Sequence, residues 1–327
     1  MTTQTSAVVA EGLHKRYGET RALDGFDLSV PAGTVCGLLG PNGAGKTTAV
    51  RILATLLRFD SGRAQVAGYD VARQPERVRE VIGLTGQYAA VDEVLSGRQN
   101  LILFGRLHQL SARTARRRAD ELLEQFGLTA AASRSPAEYS GGMRRRLDLA
   151  ASLIMTPQVL FLDEPTTGLD PRSRNQLWSA VRGLVADGTT VLLSTQYLEE
   201  ADQLADRILV VDAGRVVAEG TSAELKARIG ADRIEVVVRH ATELGTAAGI
   251  VERSAAGPVA LDAEIRQLSA PVVDRVAALG DVMRALRDAG IAVDDIGLRR
   301  PTLDEAFLHL TGKQNPAVQP TATGASR

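Results

Sequence analysis

The chain has 327 residues, a formal net charge of −1, 44% hydrophobic and 24% charged residues. That length predicts two domains, and the balanced charge argues against a protein that grips nucleic acid by its phosphates. The single cysteine, Cys36, excludes an internal disulfide, and no stretch reaches the ~18 uninterrupted apolar residues of a bilayer-spanning helix.

Residues 1–10 show no positive region followed by an apolar core, so no signal peptide is expected. The chain is expected in the cytoplasm, with any membrane role exercised through a partner. Residues 34–39 read as a buried strand in which Cys36 is a small apolar filler rather than a reactive thiol. Residues 46–57 read as a helix, because Ala49, Ile52, Leu53 and Leu56 repeat at i, i+3, i+4 and i+7. Between Gln87 and Ser140 the pattern is helical, marked by Leu101, Phe104 and Leu107 and then by Leu122, Leu123 and Phe126. It breaks at Ser135-Pro136. The arginine runs 116–118 and 144–146 read as solvated helix faces. Short apolar runs at 159–162, 191–193 and 208–211 read as strands buried on both faces. Strands alternating with amphipathic stretches predict a parallel sheet clothed in helices.

After Lys226 the character changes. Residues 234–238 read as a strand. Leu279, Val282, Met283 and Leu286 mark a helix that Gly290 ends, and residues 291–298 return to strand character. Thr302-Leu303-Asp304-Glu305 reads as a capping box, opening a helix with Leu303, Phe307 and Leu310 on one side. A small α+β domain over 231–312 follows, and residues 313–327, poor in large apolar groups, are expected to be disordered.

Three short motifs carry chemistry. Gly40-Pro41-Asn42-Gly43-Ala44-Gly45-Lys46-Thr47 matches G-x-x-x-x-G-K-[ST] between a predicted strand and a predicted helix. Its glycines let backbone N–H groups approach phosphate oxygens at a helix N-terminus. Lys46 would neutralise β- and γ-phosphates, and Thr47 would hold Mg²⁺. Asp163-Glu164 directly follows the strand 159–162, where ligands of open α/β sheets bind. Asp163 is placed to reach Mg²⁺, and Glu164 to take a proton from, or orient, the attacking water. Ser140-Gly141-Gly142-Met143 opens a helix with Met143, Leu147, Ala150 and Ile154 on one face. It is either a second anion site or a plain N-cap.

The ordered set of phosphate loop, Gln87, Ser-Gly-Gly-Met and Phe161-Leu162-Asp163-Glu164-Pro165 resembles the ABC ATPases over residues ~7–225. The resemblance implies an α/β fold: an ABC-type P-loop ATPase domain (1–228) with a helical subdomain at about 88–156, plus the small C-terminal α+β domain. It implies ATP and Mg²⁺ as cofactors, and a head-to-tail homodimer in which Ser140, Gly141 and Gly142 of one copy face the nucleotide of the other. Tyr17 would stack on adenine, Thr48 would bind with the loop, Gln87 would join Mg²⁺ to the helical region, and Asp170 would contact the second copy. Two positions depart from the family pattern. Met143 replaces the usual Gln after Ser-Gly-Gly, and Gln196 stands where a His contacts the γ-phosphate. An amide donates a hydrogen bond but does not titrate near neutral pH, so Glu164 is read as the base, with Lys46 and the fixed donor Gln196 beside it.

Thr195-Gln196-Tyr197, the run from Tyr139 to Asp148, and Leu303-Asp304-Glu305-Ala306-Phe307-Leu308 closely resemble the daunorubicin/doxorubicin-resistance ATP-binding subunits. That resemblance implies an ATPase driving export of antibiotics or other hydrophobic molecules through a separate integral-membrane permease. The helical region would contact that permease, and the chain itself would meet neither nucleic acid nor lipid. Alternatives are an exporter of non-drug cargo and a soluble ABC ATPase acting on ribosomes or DNA. The latter usually needs tandem modules or a long coiled coil, and no sustained heptads occur here. Intact Lys46, Thr47, Asp163 and Glu164 argue against a non-hydrolysing regulator.

Overall fold

The structure, a computed structural model, describes residues 5–86, 90–228, 232–300 and 302–312. It divides into two compact units, Met1–Ser222 and Ala223–Arg327. The class is the expected one, an α/β unit followed by a smaller α+β unit.

In the first unit the chain runs β1 (Ser6–Tyr17), β2 (Thr20–Pro31), β3 (Val35–Leu39), α1 (Lys46–Leu53), β4 (Ser61–Val66), β5 (Tyr69–Asp70), α2 (Pro75–Val81) and β6 (Ile82–Thr85). Then come α3 (Gly97–Leu107), α4 (Ala112–Gln125), α5 (Gly141–Ser152), β7 (Val159–Asp163), α6 (Pro171–Ala186), β8 (Thr190–Thr195), α7 (Leu198–Leu204), β9 (Arg207–Asp212) and β10 (Arg215–Gly220). Two sheets form, with orders β2-β1-β4-β5 and β10-β9-β3-β8-β7-β6. The first is antiparallel. The second is parallel except at its β10 edge.

Strand β7 explains how one sheet serves two cores. Val159, Leu160, Phe161 and Leu162 are all fully buried, yet side chains alternate across a strand. Leu160 and Leu162 therefore join Leu122, Leu147 and Val181 on one face. Val159 and Phe161 join Ala49, Ile52, Phe26 and Leu28 on the other. The helices α3–α6 cover the first face, and α1 with the antiparallel sheet covers the second.

Helix α1 is shorter than its apolar repeat predicts. Thr55 adopts φ 62°, and the helix closes with Thr55 N–H donating to Ile52 O at 3.0 Å and Leu56 N–H to Arg51 O at 2.8 Å. These bonds are a left-handed C-terminal cap. They turn Leu56 off the buried face, leaving it 63% exposed. Leu107 likewise leaves the Leu101 face at the end of α3 and is exposed.

The second unit contains α8 (Ser222–Ala227, spanning the division), β11 (Arg233–Val238), α9 (Leu244–Glu252), β12 (Ala260–Asp262), β13 (Gln267–Pro271), α10 (Arg275–Asp288), β14 (Val293–Arg299) and α11 (Leu303–Gly312). The βαββαβ run from β11 to β14 makes an antiparallel sheet of order β12-β13-β11-β14, the split β-α-β arrangement. Ile234, Val236, Val238, Leu268 and Ala270 face Ala247, Val251, Val282 and Leu286 from α9 and α10. Gly290, at φ 69°, follows the end of α10 as expected. Met283 lies outside that core and is exposed, because Ala278, Val282 and Leu286 take the inward stripe. The capping box at α11 is present: Glu305 N–H donates to Thr302 Oγ1 at 3.2 Å, and Thr302 N–H donates to Glu305 Oε2 at 3.0 Å.

Candidate active site

Parallel pairing lines up the strand ends from which the candidate residues emerge. Leu39 pairs with Thr195, Asp163 with Ser194, and Thr85 with Leu162. The loop 40–45, Asp163-Glu164, Gln196 and the segment entered at Gly86 therefore leave the same edge of one sheet. Gln87 itself lies outside the described residues.

Loop 40–45 closes on the N-terminus of α1. Ala44 N–H donates to Pro41 O at 3.2 Å, and Ala49 N–H donates to Gly45 O at 2.9 Å, the first full helical bond. Gly45 sits at φ 106°, and a Cβ there would fall inside 3.0 Å of the Ala22 carbonyl oxygen on β2. Only glycine fits that approach. Pro41, Asn42 and Gly43 are exposed, whereas Gly40, Ala44 and Gly45 are buried. Lys46 is buried, and its Nζ donates to Gly40 O at 2.7 Å and Pro41 O at 3.0 Å. Burial pushes the ammonium below its usual range, against the opposing pull of Glu164 and Asp163.

Thr47 Oγ1 donates to Asp163 Oδ1 at 3.1 Å, and the buried Ser194 hydroxyl donates to the same oxygen. Thr48 is half-buried in the first turn of α1. Glu164 holds a left-handed backbone, φ 49°, uncommon for a residue with a side chain. Its N–H donates to Ser194 O at 3.0 Å, and its carboxylate accepts from Thr167 Oγ1 at 3.5 Å. Gln196, half-buried, follows directly on β8.

The other predicted residues stand apart from this cluster. Tyr17 ends β1, about half exposed, with Lys15 Nζ 5.9 Å from its ring centre. Ser140 is the N-cap of α5, and its hydroxyl accepts from Met143 N–H at 3.2 Å. Gly141 is exposed and Gly142 buried. A Cβ on Gly142 would fall inside 3.0 Å of Ser173 on α6, so the absent side chain lets the two helix starts meet. Asp170 caps α6, accepting from Ser173 N–H at 2.9 Å and Ser173 Oγ at 2.6 Å. These two bonds hold its carboxyl below the usual carboxylate range.

One residue read as solvated belongs to the site. Arg145 is 9% exposed. Its Nε donates to Pro165 O at 2.8 Å, Nη1 to Gly86 O at 2.6 Å, and Nη2 to Asp163 O at 3.3 Å and Glu164 O at 3.4 Å. Asp148, one turn on, pairs with it at 3.4 Å and accepts from Ala90 N–H at 2.7 Å. The run 144–146 is thus not one solvated face. Arg144 reaches Glu93 at 3.0 Å, while Arg145 shares the inward side with Gly142, Asp148 and Leu149. That i, i+3, i+4 spacing was the available signal, masked by the uniform charge of the run. In the 116–118 run, Arg116 and Arg117 are exposed as expected, and Arg118 reaches Leu153 O at 3.2 Å.

The family model described as ABC transporter matches residues 23–167. The daunorubicin resistance ATP-binding protein DrrA2 of Streptomyces coeruleorubidus is 66% identical, covering 94% of this chain and 95% of its own. The daunorubicin/doxorubicin resistance ATP-binding protein DrrA of Streptomyces peucetius is 52% identical over 95% and 94%. Nod factor export ATP-binding protein I of Ralstonia nicotianae is 39% identical over 95% of each. Among solved structures, an ATP-binding subunit of an ABC transporter superimposes with TM-score 0.62 at 28% identity, covering 68% of this chain and 93% of that one. The structure of cbiO1 from Clostridium perfringens, part of the ABC transporter complex cbiONQ, gives 0.63 at 27%, covering 68% and 91%. A phosphate loop facing a strand-end Asp-Glu pair on this fold, with relatives matching nearly end to end, places the chain in the ABC transporter family, as an ATP-hydrolysing subunit of the daunorubicin/doxorubicin-resistance group.

Proposed function

We propose that this subunit powers efflux of hydrophobic antibiotics, anthracyclines among them, through a separate membrane permease. The observation that carries this reading is the 66% identity with a daunorubicin resistance protein over 94% of the chain, which takes in the C-terminal unit as well as the ATPase. The Nod factor relative leaves non-drug cargo as the second reading, at markedly lower identity. No helix among the described residues is long and apolar enough to cross a membrane; in the proposed exporter the permease provides the path for the drug. Residues 1–228 are the ATPase domain with its helical insertion at about 88–156, and 231–312 an accessory domain.

In the hydrolytic step, Lys46 and the backbone amides of loop 40–45 hold the β- and γ-phosphates. Glu164 takes a proton from the attacking water as the bond from γ-phosphorus to the bridging oxygen breaks, yielding ADP and phosphate. Gln196 donates a fixed amide hydrogen bond to the γ-phosphate. Hard oxygen donors suit Mg²⁺, and the Thr47 hydroxyl beside the Asp163 carboxylate is such a pair. Together with Gln87 they would hold the ion, which when bound neutralises charge between the phosphates. Tyr17 stacks on adenine. In a head-to-tail homodimer, Ser140, Gly141, Gly142 and Asp170 of one copy complete the site of the other.

Drug retention in the native host tests the reading. A deletion strain is complemented with the wild-type chain or Glu164→Gln and loaded with a panel of hydrophobic antibiotics including anthracyclines. Retention cured only by the wild type supports drug export. Strains that handle every drug alike, with a purified protein that hydrolyses ATP, overturn it in favour of a different cargo.

A further inference from the structure

Among the described residues the buried carboxylates are Asp148, Asp163 and Glu200. The first is paired with Arg145 and the second faces Thr47, but Glu200 on α7 has no role in the step above. It is 1% exposed, and its Oε1 accepts from Trp178 Nε1 on α6 at 3.2 Å. The hydroxyls of Thr195 and Thr166 also face its carboxyl, with the Arg145 guanidinium beyond. Burial pushes the carboxyl up, and the hydroxyls, the indole and Arg145 oppose that shift. Thr195 directly precedes Gln196, and Thr166 lies two residues after Glu164. Thr195 Oγ1 accepts from Tyr197 N–H at 3.0 Å, which leaves its own proton free to donate.

The contact is incomplete on one side. The Thr166 hydroxyl lies near enough to the Glu200 carboxyl to favour its charged form, but no hydrogen bond of ordinary geometry joins the two, and Glu200 Oε2 and Thr166 Oγ1 are both buried. A buried acceptor and a buried donor left without good geometry are costly, and here the donor lies two residues after Glu164 while the acceptor lies four after Gln196. The segment on the Thr166 side is also the strained one, with Glu164 at φ 49°. Strain of this kind clusters at active sites, ligand clamps and switch regions.

We propose that Glu200 is a positioning residue that sets Glu164 and Gln196 in register: Thr195 anchors the Gln196 side, and the Thr166 hydroxyl donates to Oε2 when nucleotide draws the Glu164 loop in. This rests on the reading of Glu164 and Gln196 as the catalytic pair. Closure of that bond pulls on a carboxylate already held by Trp178, which is the chain's one tryptophan. Trp178 emission therefore reports the closure directly.

Thr166→Val removes the hydroxyl at constant shape and is the primary variant, with Glu200→Gln beside it, both in the full-length chain. The expected result is a kcat at least tenfold below wild type with KM for ATP within twofold. Combining the two should cost no more than the worse single change, since they break one contact. In the Glu164→Gln background, ATP should shift Trp178 emission, and adding Thr166→Val should remove that shift while ATP still binds. A Thr166→Val enzyme within twofold of wild-type kcat overturns the proposal, as does a loss confined to KM or a fully multiplicative double variant. If Glu200→Gln fails to fold, Thr166→Val kinetics and fluorescence decide alone. Wild-type turnover in Glu164→Gln would instead refute the catalytic assignment on which the proposal rests.

Discussion

Arg145 donates from Nε to the carbonyl oxygen of Pro165 at 2.8 Å, so the helix that opens at Ser140 and the loop that carries Glu164 share one buried guanidinium. The same fork reaches Gly86, at the entry to the Gln87 segment. Three stretches distant in sequence are thereby tied to a single side chain, and the helical region cannot move without the strand-end loop registering it.

Removing that side chain should be costly. Arg145→Ala leaves the buried Asp148 without its ion-pair partner, a loss of about 3–5 kcal/mol, readable as a lower urea midpoint at unchanged slope. Arg145→Lys should recover only part of it, because an ammonium cannot span carbonyls that a planar fork reaches together.

Ser140 has two candidate duties that one substitution separates. It is the N-cap of α5, so Ser140→Ala should cost about 1 kcal/mol. Ser140→Asp keeps a cap of equal quality but sets a negative charge where the proposed homodimer receives a γ-phosphate. Near wild-type stability with ATP turnover reduced at least tenfold is the expected outcome. Unchanged turnover would leave Ser140 as a cap and nothing more.

Gly45→Ala should abolish ATP binding. Its Cβ would collide with backbone on β2 rather than with a side chain that can yield, and φ 106° strains any residue but glycine. Isothermal titration should show no ATP heat, and the melting temperature should no longer rise with ATP. In the wild type that rise corresponds to about 2.7 kcal/mol at a hundredfold excess over Kd.

Cys36 reports global unfolding. Burial in β3 pushes its thiol up to about 12 from its ordinary 9.0, and the thiolate is the reactive form. At pH 8 a thiol reagent should leave the native protein untouched and label it once urea unfolds it. A raised acid favours the folded state below its unfolded pKa and loses that advantage only as pH climbs from about 9 toward 12. Cys36 therefore adds no pH dependence to stability between pH 6 and 8.

The strands and the phosphate loop were legible because their signals are local. Val159 to Leu162 is apolar throughout, and Gly45-Lys46-Thr47 stands between a strand and a helix. The stop of α1 was not legible, since a threonine at φ 62° ends it where glycine is the usual sign, and Leu56 prolongs the apolar repeat past the true end. Arg145 was missed because a charged run reads as surface. Its burial is repaid by carbonyls of Gly86 and Pro165 that only the fold brings near. Glu200 was hidden for the same reason, its indole partner lying on a different helix.

Ala22 lies on β2, far in sequence from Asp163 and Glu164, yet its carbonyl oxygen is the atom that both Gly45 and Gly214 approach too closely to bear a Cβ. Gly214 also donates to Ala44 O at 2.9 Å and accepts from Asp24 N–H at 3.0 Å. One peptide of the antiparallel sheet is thus wedged between the phosphate loop and the β9–β10 turn like a keystone. A slip of β2 by a single residue would dislodge the nucleotide cradle while leaving every residue of its motif intact. Lesions in this subunit that silence ATP binding should therefore map to β2 as well as to the loop itself.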